Sequence, residues 1–177
     1  DLDCEGKIHY FVMEYVEGRD LHALVSQDGP LDYHTAANFI AQAAAGLEHA
    51  HQRGLVHRDI KPANLLVDRE GVVKVLDMGL AKFTSESRAA PSILAEHVLG
   101  TADYLAPEQA VNSQTVDHRA DIYALGCTFY YLLTGKVPFP GLAPEMMAER
   151  QIRGVPLPSA LRPKVPPEID AIVKKMG

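Results

Sequence analysis

The spacing of apolar residues along the chain predicts a mainly helical protein. After Asp32, a good N-cap residue, apolar positions recur at intervals of four, three, four and three residues up to Ala50, which predicts a helix ending near Gln52. A second helix is predicted from Asp117, as its N-cap, to about Thr134. Because this second helix is apolar around most of its circumference, we expect it to be central and buried.

Shorter helices are predicted on similar grounds. Asp20 is an N-cap candidate for a short helix that ends at Asp28-Gly29-Pro30, and Pro107 suits the first turn of another. Two further helical segments are predicted near residues 143–153 and 167–176.

Strand signals are fewer. Residues 9–16 are rich in aromatic and β-branched side chains, which predicts a strand that ends before Glu17-Gly18-Arg19. Residues 65–67 and 72–76 flank a polar turn with a glycine at its end, which predicts a hairpin, and Leu55-Val56 is predicted as a short strand. The expected fold class is therefore mainly α with small β-hairpins.

Composition and charge exclude several classes of protein. The 177 residues fit one domain or a large piece of one, and the formal net charge of −6 gives no basic surface for nucleic acid or an anionic membrane. The longest nearly unbroken apolar run, Tyr123–Leu133, is far shorter than the roughly 20 residues that span a bilayer. No signal peptide opens the chain, and Cys4 and Cys127 are expected to be free thiols. We therefore expect a cytoplasmic domain with no nucleic-acid partner and no membrane segment within this chain, and membrane anchoring of a longer parent by segments outside the chain stays open.

The chemistry concentrates in residues 57–79. Four polar side chains lie in or beside the predicted hairpin: Asp59, Lys61, Asn64 and Asp77. Carboxylates, an amide and an ammonium held close together suit a magnesium-bound phosphate. An isolated aspartate is more often a surface or capping residue, so the prediction depends on the combination.

The order of the motifs identifies a family. His57-Arg58-Asp59 is followed by Asn64, then by Asp77-Met78-Gly79, and finally by Ala106-Pro107-Glu108. In this order they resemble the eukaryotic-type (Hanks-type) serine/threonine protein kinases. The sequence of residues 100–109 resembles that of the bacterial members most closely. The resemblance covers essentially the whole chain and implies the large, C-terminal lobe of a kinase.

The resemblance implies a role for each polar residue of this stretch. Asp59 would accept or orient the proton of the substrate hydroxyl, and Lys61 would neutralise charge on the transferred phosphate. Asn64 and Asp77 would bind Mg²⁺. Lys61 and Thr101 are the marks of Ser/Thr rather than Tyr specificity in this family.

The resemblance also implies an adenine site at residues 13–20. The implied contacts are Met13 as gatekeeper, backbone groups of Glu14 and Val16 on the base, Asp20 on the ribose, and Leu21 with Leu66 against the ring. A strand followed by a helix cap explains the same segment without a ligand, and without the other motifs it would be the preferred interpretation.

Further residues resemble structural and regulatory positions. Asp121 resembles the buried aspartate that braces the catalytic loop, and His57 a packing residue. Arg58 and Lys82 resemble a basic pocket for a phosphate on the activation loop. In this family that phosphate is often carried by a threonine, and His97 occupies the position of this threonine. We expect the pocket to meet instead Glu96 or a phosphate on a nearby hydroxyl: Thr84, Ser85, Ser87 or Ser92.

The resemblance divides the chain into two parts. Residues 1–18 would be the last strand of the small lobe and the hinge, and residues 19–177 the large lobe without its final helices. The glycine-rich loop, its strand lysine and the helix glutamate of the small lobe are missing from the sequence, so we expect this piece alone to be inactive. Glu108 is expected to be buried and to need an arginine beyond residue 177.

The implied function is transfer of phosphate from ATP, with Mg²⁺, to Ser or Thr hydroxyls of protein substrates. One alternative is a kinase-like binding or scaffold module without catalysis, which would be indicated by loss of Asp59, Asn64 or Asp77. Another is a small-molecule phosphotransferase, against which Lys61 and Thr101 stand.

Overall fold

The computed structural model describes residues 2–5, 8–11, 14–78, 102–111, 116–139 and 154–177. These residues form five strands and five α-helices, joined by short 3₁₀ turns. The strands are β1 (Leu2–Glu5), β2 (Ile8–Phe11), β3 (Gly18–Asp20), β4 (Leu65–Asp68) and β5 (Val73–Val75). The helices are α1 (Leu21–Asp28), α2 (Tyr33–His51), α3 (Pro107–Val111), α4 (Arg119–Thr134) and α5 (Pro167–Met176).

The first two helices begin at the predicted aspartates. Asp20 accepts a hydrogen bond from the backbone N–H of Ala23 at 2.7 Å, and Asp32 accepts from those of His34 and Thr35 at 3.0 and 3.1 Å. Such bonds satisfy N–H groups that have no partner within the helix. Gly29, with φ of 85°, ends α1 where the sequence predicts.

Helix α4 is the centre of the hydrophobic core, as its apolar circumference predicts. Every residue except Arg119 and Ile122 is buried. It packs against α2 on one side and α5 on another. A fully buried large apolar side chain such as Phe129 or Leu132 stabilises the fold by about 1.5–3 kcal/mol. The helix begins later than predicted: His118 is the N-cap, and Asp117 accepts a hydrogen bond from the backbone N–H of Arg119 at 2.9 Å.

The predicted hairpin is present and carries a third strand. Strands β4 and β5 pair antiparallel around a turn in which Gly71 has φ of 79°. Strand β3 pairs with the other edge of β4, so Asp20 lies opposite Leu66. Strand β3 was not predicted from the sequence. The strand predicted at residues 55–56 was wrong, because these residues belong to no helix or strand.

The side chain of Gln42 fixes this sheet to α2. Its Nε2 donates to the carbonyl of Gly71 at 3.1 Å, and its Oε1 accepts from the backbone N–H of Val73 at 2.9 Å. The hairpin, and the loop that leads into it, are thereby held against the core.

The N-terminal strand prediction was correct only in part. Within the predicted range of 9–16, strand β2 ends at Phe11 and residues 14–17 form no strand. Strand β2 pairs antiparallel with β1, which the sequence pattern did not reveal. Helix α5 confirms the segment predicted at 167–176, whereas the one at 143–153 lies outside the described residues. No helix in the described part of the chain is long and apolar enough to cross a bilayer.

Candidate active site

The loop between α2 and β4 is anchored to α4 by one buried carboxylate. Asp121 on α4 has no exposed surface, and its oxygens accept from the backbone N–H groups of His57 at 2.8 Å and Arg58 at 2.7 Å. His51 at the end of α2 adds a third contact, with its Nε2 at 2.8 Å from Asp121 Oδ2. A buried carboxylate needs such partners, and these confirm that Asp121 braces the loop.

Arg58 adopts a backbone conformation that the brace has to stabilise. Its φ is 68°, in the left-handed region, where a residue with a Cβ costs roughly 1–2 kcal/mol. The two hydrogen bonds to Asp121 hold the backbone immediately before this residue. The loop geometry therefore depends on α4, more than 60 residues further along the chain.

His57 connects the loop to strand β5. Its ring is 1% exposed; Nδ1 accepts from the backbone N–H of Asp59 at 3.3 Å, and Nε2 donates to the carbonyl of Leu76 at 2.7 Å. Donating at one nitrogen and accepting at the other describes a neutral imidazole with the proton on Nε2. His57 thus positions the residues on either side of the site, which agrees with its expected packing role.

Three of the four predicted polar side chains meet at Asp59. Its Oδ2 lies 2.9 Å from Lys61 Nζ and accepts from Asn64 Nδ2 at 3.0 Å. The same Nδ2 donates to the Asp59 carbonyl at 2.7 Å. Its other carboxylate oxygen, Oδ1, is buried and has no hydrogen-bond partner among the described residues. The carboxylate is therefore held in place through Oδ2, and Oδ1 can accept a further hydrogen bond.

Asn64 and Asp77 carry side-chain oxygen atoms at the open end of the hairpin, Asn64 directly before β4 and Asp77 two residues after β5. Asn64 is buried, and its backbone carbonyl accepts from the N–H of Leu76 at 2.9 Å. Asp77 follows directly, exposed, with φ of 59°. Among the described residues, both side-chain hydrogen bonds of Asn64 are donated by Nδ2, and its amide oxygen accepts none there. An amide and a carboxylate oxygen are the ligand types that Mg²⁺ prefers.

The residues predicted to contact adenine and ribose lie along β3 and β4. Glu14 is exposed and Val16 half-buried in the segment before β3, while Leu66 is half-buried on β4. One carboxylate oxygen of Asp20 accepts the hydrogen bond that caps α1. Leu21 is wholly enclosed in the core, so the prediction that it lies against the adenine ring was wrong.

Several predicted residues cannot be placed. Met13, Lys82 and Thr101 lie outside the described residues, as does the segment predicted to regulate the site. Of the basic pair, Arg58 has a buried Nε with no hydrogen-bond partner in the described part of the chain. Glu108 is exposed, so the expectation that it is buried was wrong for this structure, while its pairing with an arginine beyond residue 177 stays a prediction.

Two residues that contact the site were not predicted from the sequence. His51 looks like any histidine near a helix end, and Gln109 like any residue after Ala-Pro-Glu. In the structure, Gln109 Nε2 donates to the carbonyl of Arg58 at 2.9 Å. Its position as the third residue of a helix predicted to start at Pro107 was the one available signal, because glutamine there often caps.

Nearby aromatic rings close the core beneath α3. Tyr104, 6% exposed, meets Tyr131 of α4 edge to face, with ring centroids 6.4 Å apart. Burial, followed by the neighbouring Tyr131, raises the pKa of Tyr104 well above its usual range. Its hydroxyl is therefore a neutral packing group and not an acid or base.

Comparisons with known proteins agree with this geometry. A family model described as "Protein kinase domain" matches residues 4–176. The chain is 43% identical over 171 residues to the serine/threonine-protein kinase PknB of Mycolicibacterium smegmatis, covering 96% of this chain and 27% of that protein. It is 40% identical over 177 residues to a probable serine/threonine-protein kinase, CPE1738, of Clostridium perfringens, covering 99% of the chain and 25% of that protein.

A solved structure resembles the fold. The crystal structure of Rad53 1–466 in complex with AMP-PNP superposes with a TM-score of 0.75 at 26% identity, covering 99% of this chain and 43% of the other. The chain spans about a quarter of the length of the curated relatives it matches.

Proposed function

The chain belongs to the protein kinase family, and from this premise we propose that it is the large lobe of a kinase that phosphorylates Ser or Thr residues of protein substrates. Residues 1–18 would contribute the last small-lobe strand and the hinge, and residues 19–177 the lobe that binds the substrate. The bacterial relatives named as serine/threonine kinases support this assignment.

The observation that carries the proposal is the environment of Asp59. Lys61 and Asn64 fix Oδ2, while Oδ1 is buried without a hydrogen-bond partner among the described residues. A buried oxygen of this kind is costly unless a donor reaches it. A substrate hydroxyl is such a donor, and Asp59 would orient it and receive its proton as the phosphate is transferred.

The oxygen donors fit a magnesium–nucleotide complex. Asn64 and Asp77 would hold the metal, which supplies charge neutralisation at the phosphates when bound. Lys61, 2.9 Å from Asp59, would place a positive charge beside the hydroxyl and the transferred phosphate. Glu14 and Val16 would offer backbone groups to the base, Leu66 its side chain, and Asp20 the carboxylate oxygen that does not cap α1 to the ribose.

Replacing Asp59 by Asn tests the mechanism in a longer protein that joins this chain to the small lobe of a kinase, called the longer protein below. The amide keeps the size of the side chain but cannot take up the hydroxyl proton, so we expect turnover to fall by roughly 10²–10⁴-fold. The measurement is transfer of radiolabelled phosphate from ATP to a Ser/Thr peptide.

A matched control is Asp28→Asn. Asp28 is an exposed carboxylate that pairs with Arg19 on the surface, so the same chemical change there should leave turnover unaltered. An Asp59→Asn protein with the parent rate would remove the catalytic role of Asp59 and favour a binding or scaffold module.

A further inference from the structure

Gln109 connects the start of α3 to the residue before Asp59, across 51 positions of sequence. Its Oε1 accepts from the backbone N–H of Ala106 at 3.1 Å, and its own N–H donates to the Ala106 carbonyl at 3.0 Å. The first of these bonds is the half of a capping box that a glutamine at the third helical position supplies. Alanine has no side-chain acceptor for the other half, and the bond to its carbonyl is a backbone turn. The capping interaction fixes the side chain, and its Nε2 is then free to donate elsewhere.

The two partners of Gln109 determine how its amide is oriented. The Ala106 N–H requires an acceptor and the Arg58 carbonyl requires a donor, so Oε1 faces the first and Nε2 the second. Both contacts are partly buried, where hydrogen bonds are less weakened by water.

The acceptor of this bond is the peptide group that joins Arg58 to Asp59. Its carbonyl accepts from Gln109, and its nitrogen donates to His57 Nδ1 at 3.3 Å. A peptide group is planar, so holding both ends fixes its rotation and with it the direction in which Asp59 leaves the backbone. The preceding peptide is held by Asp121, at 2.7 Å from the Arg58 nitrogen.

Arg58 therefore lies between two anchors that come from different parts of the fold. Without one of them, its left-handed conformation would have a lower-energy alternative in the ordinary right-handed or extended region. A rotation there would displace Asp59 from Lys61 and Asn64.

We propose that Gln109 is a positioning residue for Asp59, acting through the Arg58 carbonyl, and that it couples the Ala-Pro-Glu segment to the catalytic loop. The inference rests on the proposed kinase function. It assigns to the segment around α3 a connection, through the Arg58 carbonyl, to the residue that would receive the proton of the substrate hydroxyl.

Two substitutions separate positioning from helix capping. Gln109→Glu keeps an oxygen for the Ala106 N–H but places a carboxylate against the Arg58 carbonyl, where it cannot donate. Gln109→Met has similar length and makes neither bond. Capping alone predicts that Glu behaves as the parent and Met does not; positioning predicts that both lower kcat.

The experiment measures peptide phosphorylation and thermal unfolding of the longer protein, at a temperature well below the unfolding of every variant. We expect kcat to fall about 3–10-fold for Met and at least as far for Glu, as loss of one hydrogen bond predicts, while KM for ATP stays within about twofold. Stability should follow the opposite order, with Glu near the parent and Met lower. Gln27→Met, on the exposed face of α1, is the matched control and should change neither quantity.

A Gln109→Glu protein with the parent kcat overturns the inference. Asp59→Asn is assayed in parallel so that the two proposals fail separately. If Asp59→Asn abolishes turnover and Gln109→Glu does not reduce it, only the role of Gln109 is wrong. If neither reduces it, the proposed function is wrong.

Discussion

At the scale of single residues, the site depends on a few side chains that act on backbone groups. Asp121 accepts from two consecutive N–H groups, and His57 joins the loop to the carbonyl of Leu76. The residues that we propose have a chemical role, Asp59 and Asn64, were named from the order of the motifs. Their supports could be predicted less well: Asp121 followed from the resemblance, whereas the bond from Gln109 to Arg58 depends on a tertiary contact that no local pattern encodes.

Replacing Asp121 by Asn should destabilise the fold. The amide nitrogen cannot accept a hydrogen bond, so one of the three donors around it loses its partner. We expect the free energy of unfolding of the 177-residue chain to fall by about 1–3 kcal/mol, measured by urea denaturation.

The control for this substitution is Asp117→Asn. Asp117 is half-exposed and accepts from the N–H of Arg119, which an asparagine oxygen can also do. Equal shifts of the urea midpoint in the two variants would contradict the bracing role of Asp121.

At the scale of elements, the helices were predictable and the short strands were not. Helices α2 and α4 carry long apolar patterns and clear start or stop signals, such as Asp32 and Gly135. Strand β3 has three residues and mostly exposed side chains, so no hydrophobic alternation marks it. It is a strand because β4 offers an edge to pair with, which is a property of the tertiary structure.

Gly18→Ala should disturb this strand pairing and weaken nucleotide binding. A Cβ at Gly18 would collide with the backbone carbonyl of Val67 and lie 2.6 Å from Leu66 Cδ2. Because the backbone of a paired strand cannot move aside without losing its hydrogen bonds, we expect the free energy of unfolding to fall by about 1–3 kcal/mol. We also expect a several-fold rise in KM for ATP in the longer protein, since Leu66 and Asp20 are its proposed contacts.

Gly46→Ala is the comparison for that variant. Gly46 is exposed within α2, where its Cβ would be 3.4 Å from Val75 Cγ2, and alanine favours a helix by roughly 0.5–1 kcal/mol over glycine. It should raise the melting temperature and leave KM for ATP unchanged. An unaltered KM in Gly18→Ala would argue against a nucleotide beside β3.

At the scale of the whole molecule, the described residues form a helical core with the polar site along one edge. Helix α4 contacts α2 and α5, and through Asp121 it also holds the loop that carries Asp59. The fold class and the family followed from the sequence, because several motifs in fixed order are specific. The segment of residues 79–101, predicted to regulate the site, lies outside the described residues.

The 177-residue chain alone should not phosphorylate protein substrates. Nowhere in its sequence is there a Gly-x-Gly-x-x-Gly stretch of the kind that covers the ATP phosphates in kinases. We expect the longer protein to phosphorylate a Ser/Thr peptide and residues 1–177, at equal concentration, to give no more label than the Asp59→Asn protein.

Circular dichroism would verify that the 177-residue chain is folded in this assay. Turnover by the folded chain within tenfold of the longer protein would show that the large lobe suffices.

The brace at Asp121 has a further consequence for the order in which the protein is made. A ribosome adds His57 to the chain 64 residues before Asp121. At roughly 5–20 residues per second, that interval is on the order of 3–13 s. After the first seven residues of this interval, the nascent chain holds Asp59, Lys61 and Asn64 but not the Asp121 carboxylate that receives the N–H groups of His57 and Arg58. The chemical groups of the site are thus synthesised well before the residue that gives them their geometry.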